Sequence, residues 1–127
     1  MDKKILIVDD DPDLVEAVTM ILESKHYDVA AAYGGLEGLE KAKTEKPDLI
    51  VLDVMMPDKD GYAVCKEMKA DPKLSKIPIL LLTAVVSKIP TTHYTQQMGM
   101  ETEADDYMDK PVEPAELVNR IEVLLAK

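Results

Sequence analysis

The sequence is poor in the residues that build disulfides, metal cages and aromatic surfaces. Its 127 residues include one cysteine, no tryptophan and no phenylalanine, and its aromatic residues are five tyrosines. The one cysteine, Cys65, cannot form an internal disulfide or a cysteine-based metal cage, and we expect it to be a small buried apolar residue. With so few aromatic rings, base-stacking platforms are not expected and the core must be aliphatic.

Long apolar runs and an excess of positive charge are also missing. No stretch approaches the ~18 apolar residues of a membrane span, and the early run Ile5–Val8 is too short for a signal-peptide core. The chain has 25 acidic and 15 basic residues, a net charge of −10, which argues against direct nucleic-acid binding. We therefore expect a cytoplasmic protein that contacts neither membrane nor nucleic acid.

Short apolar runs alternate with segments of helical spacing. The candidate strands are Ile5–Val8, Val29–Ala32, Leu49–Leu52, Ile77–Leu82 and a weaker one near Asp105–Met108. Between these runs, apolar residues recur at the spacing of a helix. The first helix is predicted to start at Asp11-Pro12, a helix-cap signal. Continuous apolar strands between helices are typical of parallel βαβ units. The predicted fold class is α/β, a doubly wound five-stranded parallel sheet with helices on both faces.

Glycine and proline residues mark where the remaining helices are predicted to begin. The second begins near Gly34-Gly35, the third follows Gly61 in a turn, and the last follows Pro114. Helix breakers are frequent in residues 84–104, so the fourth helix is expected to be short or irregular, around Tyr94–Met98. Because the last helix reaches the end of the chain, we expect residues 1–127 to form a single domain without an attached output domain.

Acidic residues follow two of the predicted strands. Asp9 and Asp10 come directly after the first strand, and Asp53 directly after the third. In open α/β sheets, ligands bind beyond the carboxyl ends of the strands. Several carboxylates in one crevice would repel each other unless a cation were bound, and oxygen ligands suit Mg²⁺. The alternative is that these residues are helix caps and solvated loop charges, which explains Asp11 well but not Asp53.

Two further strand ends carry polar groups. Thr83 closes the fourth apolar run, and Lys110 lies just beyond the fifth. A threonine hydroxyl is a hydrogen-bond donor, and a lysine is a compact charge suited to a phosphoryl oxygen. Each is unremarkable alone, because strand threonines and surface lysines are common. Together with the carboxylates, these two residues place polar groups at four strand ends, and all four are expected to face one crevice.

In order along the chain, four motifs resemble the receiver domain of two-component response regulators, in the superfamily of chemotaxis regulators. They are Ile5-Leu-Ile-Val-Asp9-Asp10, Leu52-Asp53-Val-Met-Met-Pro57-Asp-Lys-Asp60-Gly61, Leu82-Thr83-Ala84 and Asp106-Tyr107-Met108-Asp109-Lys110-Pro111. The resemblance covers the whole chain. It implies a flavodoxin-like sheet with the strand order 2-1-3-4-5.

The resemblance also implies the chemistry. Asp53 is expected to accept a phosphoryl group from a phosphohistidine, with Lys110 as partner of a phosphoryl oxygen. The implied Mg²⁺ ligands are Asp9, Asp10, Asp53 and the backbone carbonyl of Met55. Thr83 is the implied switch hydroxyl, and Tyr107 the aromatic side chain that follows it. The Lys110–Pro111 bond is implied to be cis, a form that only X-Pro bonds adopt readily.

The predicted function is that of a phosphoacceptor domain in a phosphorelay. It would catalyse its own phosphorylation and dephosphorylation, without being an enzyme in the usual sense, and would switch the surface around strand 4, helix 4 and strand 5. The expected partners are a sensor histidine kinase or a histidine phosphotransfer protein, and an effector protein or output domain. The domain would be a monomer or a weak phosphorylation-dependent dimer.

Two other functions stay open. A degenerate receiver could act as a protein-binding scaffold without being phosphorylated, although the full set of acidic, threonine and lysine residues disfavours this. A phosphohydrolase or phosphotransferase could use an aspartyl phosphate. Such enzymes commonly carry a second aspartate two residues after the nucleophile, and that position is Met55 here.

Overall fold

A computed structural model describes residues 3–83 and 104–126. The strands are β1 Lys4–Val8, β2 Asp28–Ala32, β3 Leu49–Asp53, β4 Ile79–Thr83 and β5 Asp106–Asp109. The helices in the described ranges are α1 Pro12–Glu23, α2 Gly35–Glu45, α3 Gly61–Ala70 and α4 Pro114–Ala126. The irregular helix expected around Tyr94–Met98 lies outside these ranges.

The strands form one five-stranded sheet in the order β2-β1-β3-β4-β5, and each of its four pairings is parallel. The predicted fold class, flavodoxin-like topology and strand order are confirmed. Strands β3 and β4 are buried along their whole length. Central strands of a parallel sheet are covered on both faces, which is why they are continuously apolar in sequence.

Alternating side chains of each strand divide the core into two layers. Leu6 and Val8 lie in the layer that also contains buried residues of α2 and α3. Ile5 and Ile7 lie in the layer with buried residues of α1 and α4. This division follows from the two-residue period of a strand. Cys65 forms no disulfide and is fully buried in the first layer, as expected for a small apolar residue.

Helix starts follow local capping chemistry. The Asp11 side chain accepts a hydrogen bond from the backbone N–H of Asp13, and Pro12 is the first residue of α1. The Asp60 side chain accepts one from the N–H of Tyr62 and caps α3. Both are standard uses of an N-cap aspartate. The capping interpretation of Asp11 is therefore correct.

The position of Gly61 differs from the expected one. Gly61 is the first residue of α3 and does not belong to the preceding turn. Its N–H donates to the carbonyl of Val54, 2.9 Å away, so the helix start is hydrogen-bonded to the segment that follows β3.

The described part of the chain contains no helix that is long and apolar enough to cross a membrane.

Candidate phosphoacceptor and metal site

The predicted site residues lie at the carboxyl edge of the sheet. Asp9 follows β1, Asp53 ends β3 and Thr83 ends β4, while Lys110 follows β5. Parallel registry carries these strand ends to the same edge, since Val8 pairs with Leu52 and Thr83 pairs with Asp109. These residues are separated in sequence and are gathered by the topology alone.

Three carboxylates form a cluster at this edge, which we call the acidic site. Each of Asp9, Asp10 and Asp53 offers an oxygen, and the three oxygens lie within 4.8 Å of one another. Asp9 and Asp53 are 0% and 1% exposed, whereas Asp10 is exposed. The Nζ atom of Lys110 is 3.0 Å from Asp9 Oδ2 and 3.0 Å from Asp53 Oδ1. One ammonium therefore joins the two buried carboxylates.

Burial and charge act in opposite directions on these groups. Burial raises the pKa of Asp53 above its ordinary value and the Asp9 charge adds to this, while the hydrogen bond and charge of Lys110 oppose it. For Lys110, burial lowers the pKa, but the hydrogen bonds and charges of Asp53 and Asp9 outweigh burial and the net shift is upward. The lysine therefore stays charged, whereas Asp53 is harder to ionise than an ordinary aspartate.

The site suits a divalent cation. Three carboxylates and one ammonium leave an excess of two negative charges. Asp53 Oδ2 is buried and has no well-formed hydrogen bond from the described residues, although the nearby Met55 N–H also lowers the pKa of Asp53. The backbone N–H of Asp11 donates to Asp9 Oδ1 at 2.9 Å and orients that carboxylate. Buried oxygen ligands with unbalanced charge fit a hard cation such as Mg²⁺, so the cluster could hold a metal ion.

The loop after β3 is held from the side by a residue that the sequence did not single out. Asp58 accepts hydrogen bonds from the backbone N–H groups of Gly35 and Leu36, at 3.0 and 3.1 Å, across the start of α2. These bonds lower the pKa of Asp58 below its ordinary value. The same loop contains Met55, whose side chain is 66% exposed. The only sequence signal was an aspartate in a turn-rich segment, which does not identify a partner 23 residues away.

Gly61 controls how closely α3 approaches the end of β3, where Asp53 lies. A Cβ atom built on Gly61 would lie 2.1 Å from the Asp53 carbonyl oxygen and 2.6 Å from Val54 Cα. Both are backbone atoms, which cannot rotate away as a side chain can. Only glycine allows this contact, so Gly61 belongs to the framework of the acidic site.

The two switch candidates lie at the edge of the site. The Thr83 hydroxyl donates to Asp109 Oδ1 at 2.8 Å, and Thr83 is 4% exposed. Tyr107 is half-buried in β5, and its carbonyl accepts from Arg120 Nη1 at 2.7 Å. Asp109 was not among the predicted site residues. The Lys110–Pro111 bond is cis, as the resemblance implied.

The fold and the acidic site define a class, the flavodoxin-like α/β domains with a buried carboxylate at the end of the third strand. The family model of the response regulator receiver domain matches residues 5–122, and the chain belongs to this family. This match confirms the family assignment made from the four motifs. Receiver domains of response regulators are signalling domains in two-component systems.

Relatives and solved structures agree with this assignment. The chain is 45% identical over 127 residues to the alkaline phosphatase synthesis transcriptional regulatory protein PhoP of Bacillus subtilis, covering 100% of this chain and 50% of that protein. It is 38% identical to the DNA-binding response regulator MtrA of Mycolicibacterium smegmatis, covering 100% and 52%. A crystal structure of a putative response regulator from Chloroflexus aurantiacus matches with a TM-score of 0.89, 36% identity and full coverage of both chains.

These relatives correct the predicted partners. The chain spans about half the length of the curated relatives it matches, and MtrA is named as DNA-binding. The prediction that nucleic acid is excluded as a partner is therefore wrong. It was drawn from a net charge of −10, but that charge describes only this chain and says nothing of the remaining length of such proteins.

Proposed function

We propose that this domain accepts a phosphoryl group on Asp53 from a phosphohistidine of a two-component kinase or phosphotransfer protein. The observation that supports this most directly is the environment of Asp53. It is a buried carboxylate at a strand end, with one oxygen paired to Lys110 and the other without a well-formed hydrogen bond from the described residues. A structural aspartate would normally have both oxygens satisfied.

The transfer step follows from these contacts. An oxygen of Asp53 forms a bond to phosphorus while the phosphorus–nitrogen bond of the donor breaks, and the electron pair stays on the imidazole nitrogen, which takes up a proton from solvent. Lys110 is fixed between Asp53 and Asp9 and would neutralise charge on a phosphoryl oxygen. Positioning and charge stabilisation are the main contributions that a protein makes to phosphoryl transfer.

The metal ligands that we propose are the side chains of Asp9, Asp10 and Asp53 and the backbone carbonyl of Met55. Mg²⁺ bound there would supply positive charge to the phosphoryl oxygens during transfer. Asp9 is held in place by the N–H of Asp11, and the loop with Met55 is held by Asp58. These contacts support a pocket whose ligands are arranged before the cation arrives.

The switch would begin with new charge at Asp53. A phosphoryl group adds negative charge and strong acceptor oxygens, which attract nearby donors. Thr83 and Lys110 are the donors that we propose to respond, with Tyr107 following Thr83. The response would alter the surface formed by β4, β5 and the segment between them. Attack of water on the acyl phosphate would reverse the modification.

Intact-mass measurement tests the proposal. The protein is incubated with Mg²⁺ and acetyl phosphate, and we expect a labile adduct with the mass of one phosphoryl group. The adduct should be absent from Asp53→Asn. Asp28→Asn is the matched control, because Asp28 is an exposed aspartate at the opposite end of a strand, and it should form the adduct normally.

Each alternative function has its own result. No adduct in the wild-type protein would contradict the proposal and favour a scaffold. Rapid hydrolysis of unrelated phosphate esters would favour a phosphohydrolase. Transfer from a phosphorylated histidine-containing domain, followed by mass, tests the nature of the donor. The cytoplasmic location and the single domain over residues 1–127 stay predictions, and the family match over residues 5–122 supports the latter.

A further inference from the structure

The hydroxyl of Thr83 is already engaged. It donates to Asp109 Oδ1 at 2.8 Å, with the carbonyl of Met108 at a marginal 3.5 Å as its other neighbour. Thr83 and Asp109 are direct partners in the β4–β5 register, so their side chains stand side by side at the strand ends. The backbone is tied at the same point, because the N–H of Lys110 donates to the Thr83 carbonyl at 2.9 Å.

This bond competes with the proposed switch. A threonine hydroxyl has one proton and can make one strong donation at a time. A carboxylate accepts that proton strongly, and so do the oxygens of an acyl phosphate. With the backbone of Thr83 tied to β5, the hydroxyl must leave Asp109 before it can donate to a phosphoryl oxygen, and rotation about the Cα–Cβ bond is the direct way to do so. Threonine side chains occupy a few discrete rotamers, so this change is stepwise.

We propose that Asp109 is a positioning residue that holds the Thr83 hydroxyl away from Asp53 until phosphorylation, and thereby sets how readily the switch occurs. The proposal rests on the phosphoacceptor function proposed above. It assigns to the carboxylate that precedes Lys110 a role of its own, since Asp109 is exposed and contacts Thr83 through its side chain.

The hydrogen bond itself is tested without any phosphoryl group. Three-bond couplings that report the side-chain torsion of Thr83 are measured by NMR in the wild type, Asp109→Ala and the control Asp13→Ala. Asp13 is an exposed acid in the first turn of α1, so its removal takes away one negative charge without touching Thr83. We expect a single rotamer in the wild type and control and averaged rotamers in Asp109→Ala. A single rotamer in all three would overturn the proposal.

The effect on switching is tested with beryllofluoride, which forms a phosphoryl-like adduct on a carboxylate. In the presence of Mg²⁺, Asp109→Ala should lower the apparent dissociation constant by about tenfold, the equilibrium factor of a hydrogen bond to a charged acceptor at the low end of its range. Asp109→Asn keeps a neutral acceptor, so its apparent dissociation constant should lie between those of the wild type and Asp109→Ala. Urea midpoints of each variant check that the fold is intact.

A double-mutant cycle separates the hydrogen bond from simple charge removal. In a Thr83→Val background no hydroxyl remains, so Asp109→Ala should change the apparent constant by less than about twofold. An equal change in both backgrounds would mean that the carboxylate acts only through its charge, and would overturn this inference alone. Failure of the wild type to bind beryllofluoride at all would overturn the phosphoacceptor proposal and this inference with it.

Discussion

Replacing Gly61 by alanine should damage both the fold and the acidic site. The added Cβ would lie 2.1 Å from the Asp53 carbonyl oxygen, where contacts below 3.0 Å are essentially never seen, so α3 and the end of β3 must move apart by roughly 1 Å. Such overpacking costs about 3 kcal/mol, offset by up to about 1 kcal/mol because alanine favours helix more than glycine does. The expected net loss of stability is about 2 kcal/mol.

The assay is thermal and urea unfolding, with Gly38→Ala as the matched control. Gly38 is also a buried helical glycine, but its Cβ would meet the side chain of Val8, at 2.7 Å, and no backbone atom is among its nearest contacts. We expect the melting temperature of Gly61→Ala to fall by about 6–10 °C, and that of the control to fall less.

A second readout connects this packing contact to function. Because the displaced atoms belong to the peptide that follows Asp53, the rate of adduct formation from acetyl phosphate should fall by about 100-fold in Gly61→Ala, as expected for a misplacement of this size. Gly38→Ala should lose much less of the rate, because its Cβ meets the Val8 side chain and no backbone atom beside Asp53. If Gly61→Ala melted at or above the wild-type temperature, the argument from the close approach of α3 would be refuted.

Three further predictions concern charge at the same edge. Lys110→Gln leaves Asp9 and Asp53 without their cation and should cost about 2 kcal/mol in urea unfolding, a discounted value because Lys110 is partly exposed; a smaller cost in an Asp53→Asn background would support the pairing, and an equal cost would contradict it. Burial raises the pKa of Asp53, so the folded chain binds that proton more tightly, and the resulting stability is lost as the pH rises from the ordinary carboxyl pKa through the folded value. Asp53→Asn should therefore be more stable than the wild type at pH 7 without divalent cations, and a lower urea midpoint would show this sign to be wrong. Asp58→Ala should speed hydrogen exchange at the Gly35 amide, and unchanged exchange would mean that the bond does not protect the start of α2.

Local sequence signals predicted most of the framework. Alternating apolar runs and helical stripes located the strands to within a residue or two, because periodicity reports directly which face of each element is buried. Asp11-Pro12 marked the start of α1, since capping involves only neighbouring residues. The positions of Asp9 and Asp53 at strand ends were also readable from the chain, and their convergence required only the strand order.

Contacts between distant elements were not readable in the same way. The bond from Thr83 to Asp109 depends on the register between β4 and β5, and that of Asp58 to α2 depends on how a loop folds over a helix 23 residues earlier. Gly61 was assigned to a turn because glycine is common in turns. The sequence does not reveal that the backbone at the end of β3 lies close to it. Net charge failed as a guide to partners because it carries no information about sequence beyond this chain.

The sequence by itself therefore determined the α/β class, the positions of the elements and the strand-end residues available for chemistry. These are properties of single segments, set by side-chain period and local capping. The tertiary structure decided which of those residues form hydrogen bonds, ion pairs or packing contacts with one another. Lys110 between two buried carboxylates, and Thr83 held by Asp109, exist only once parallel strands far apart in sequence lie side by side in a defined register.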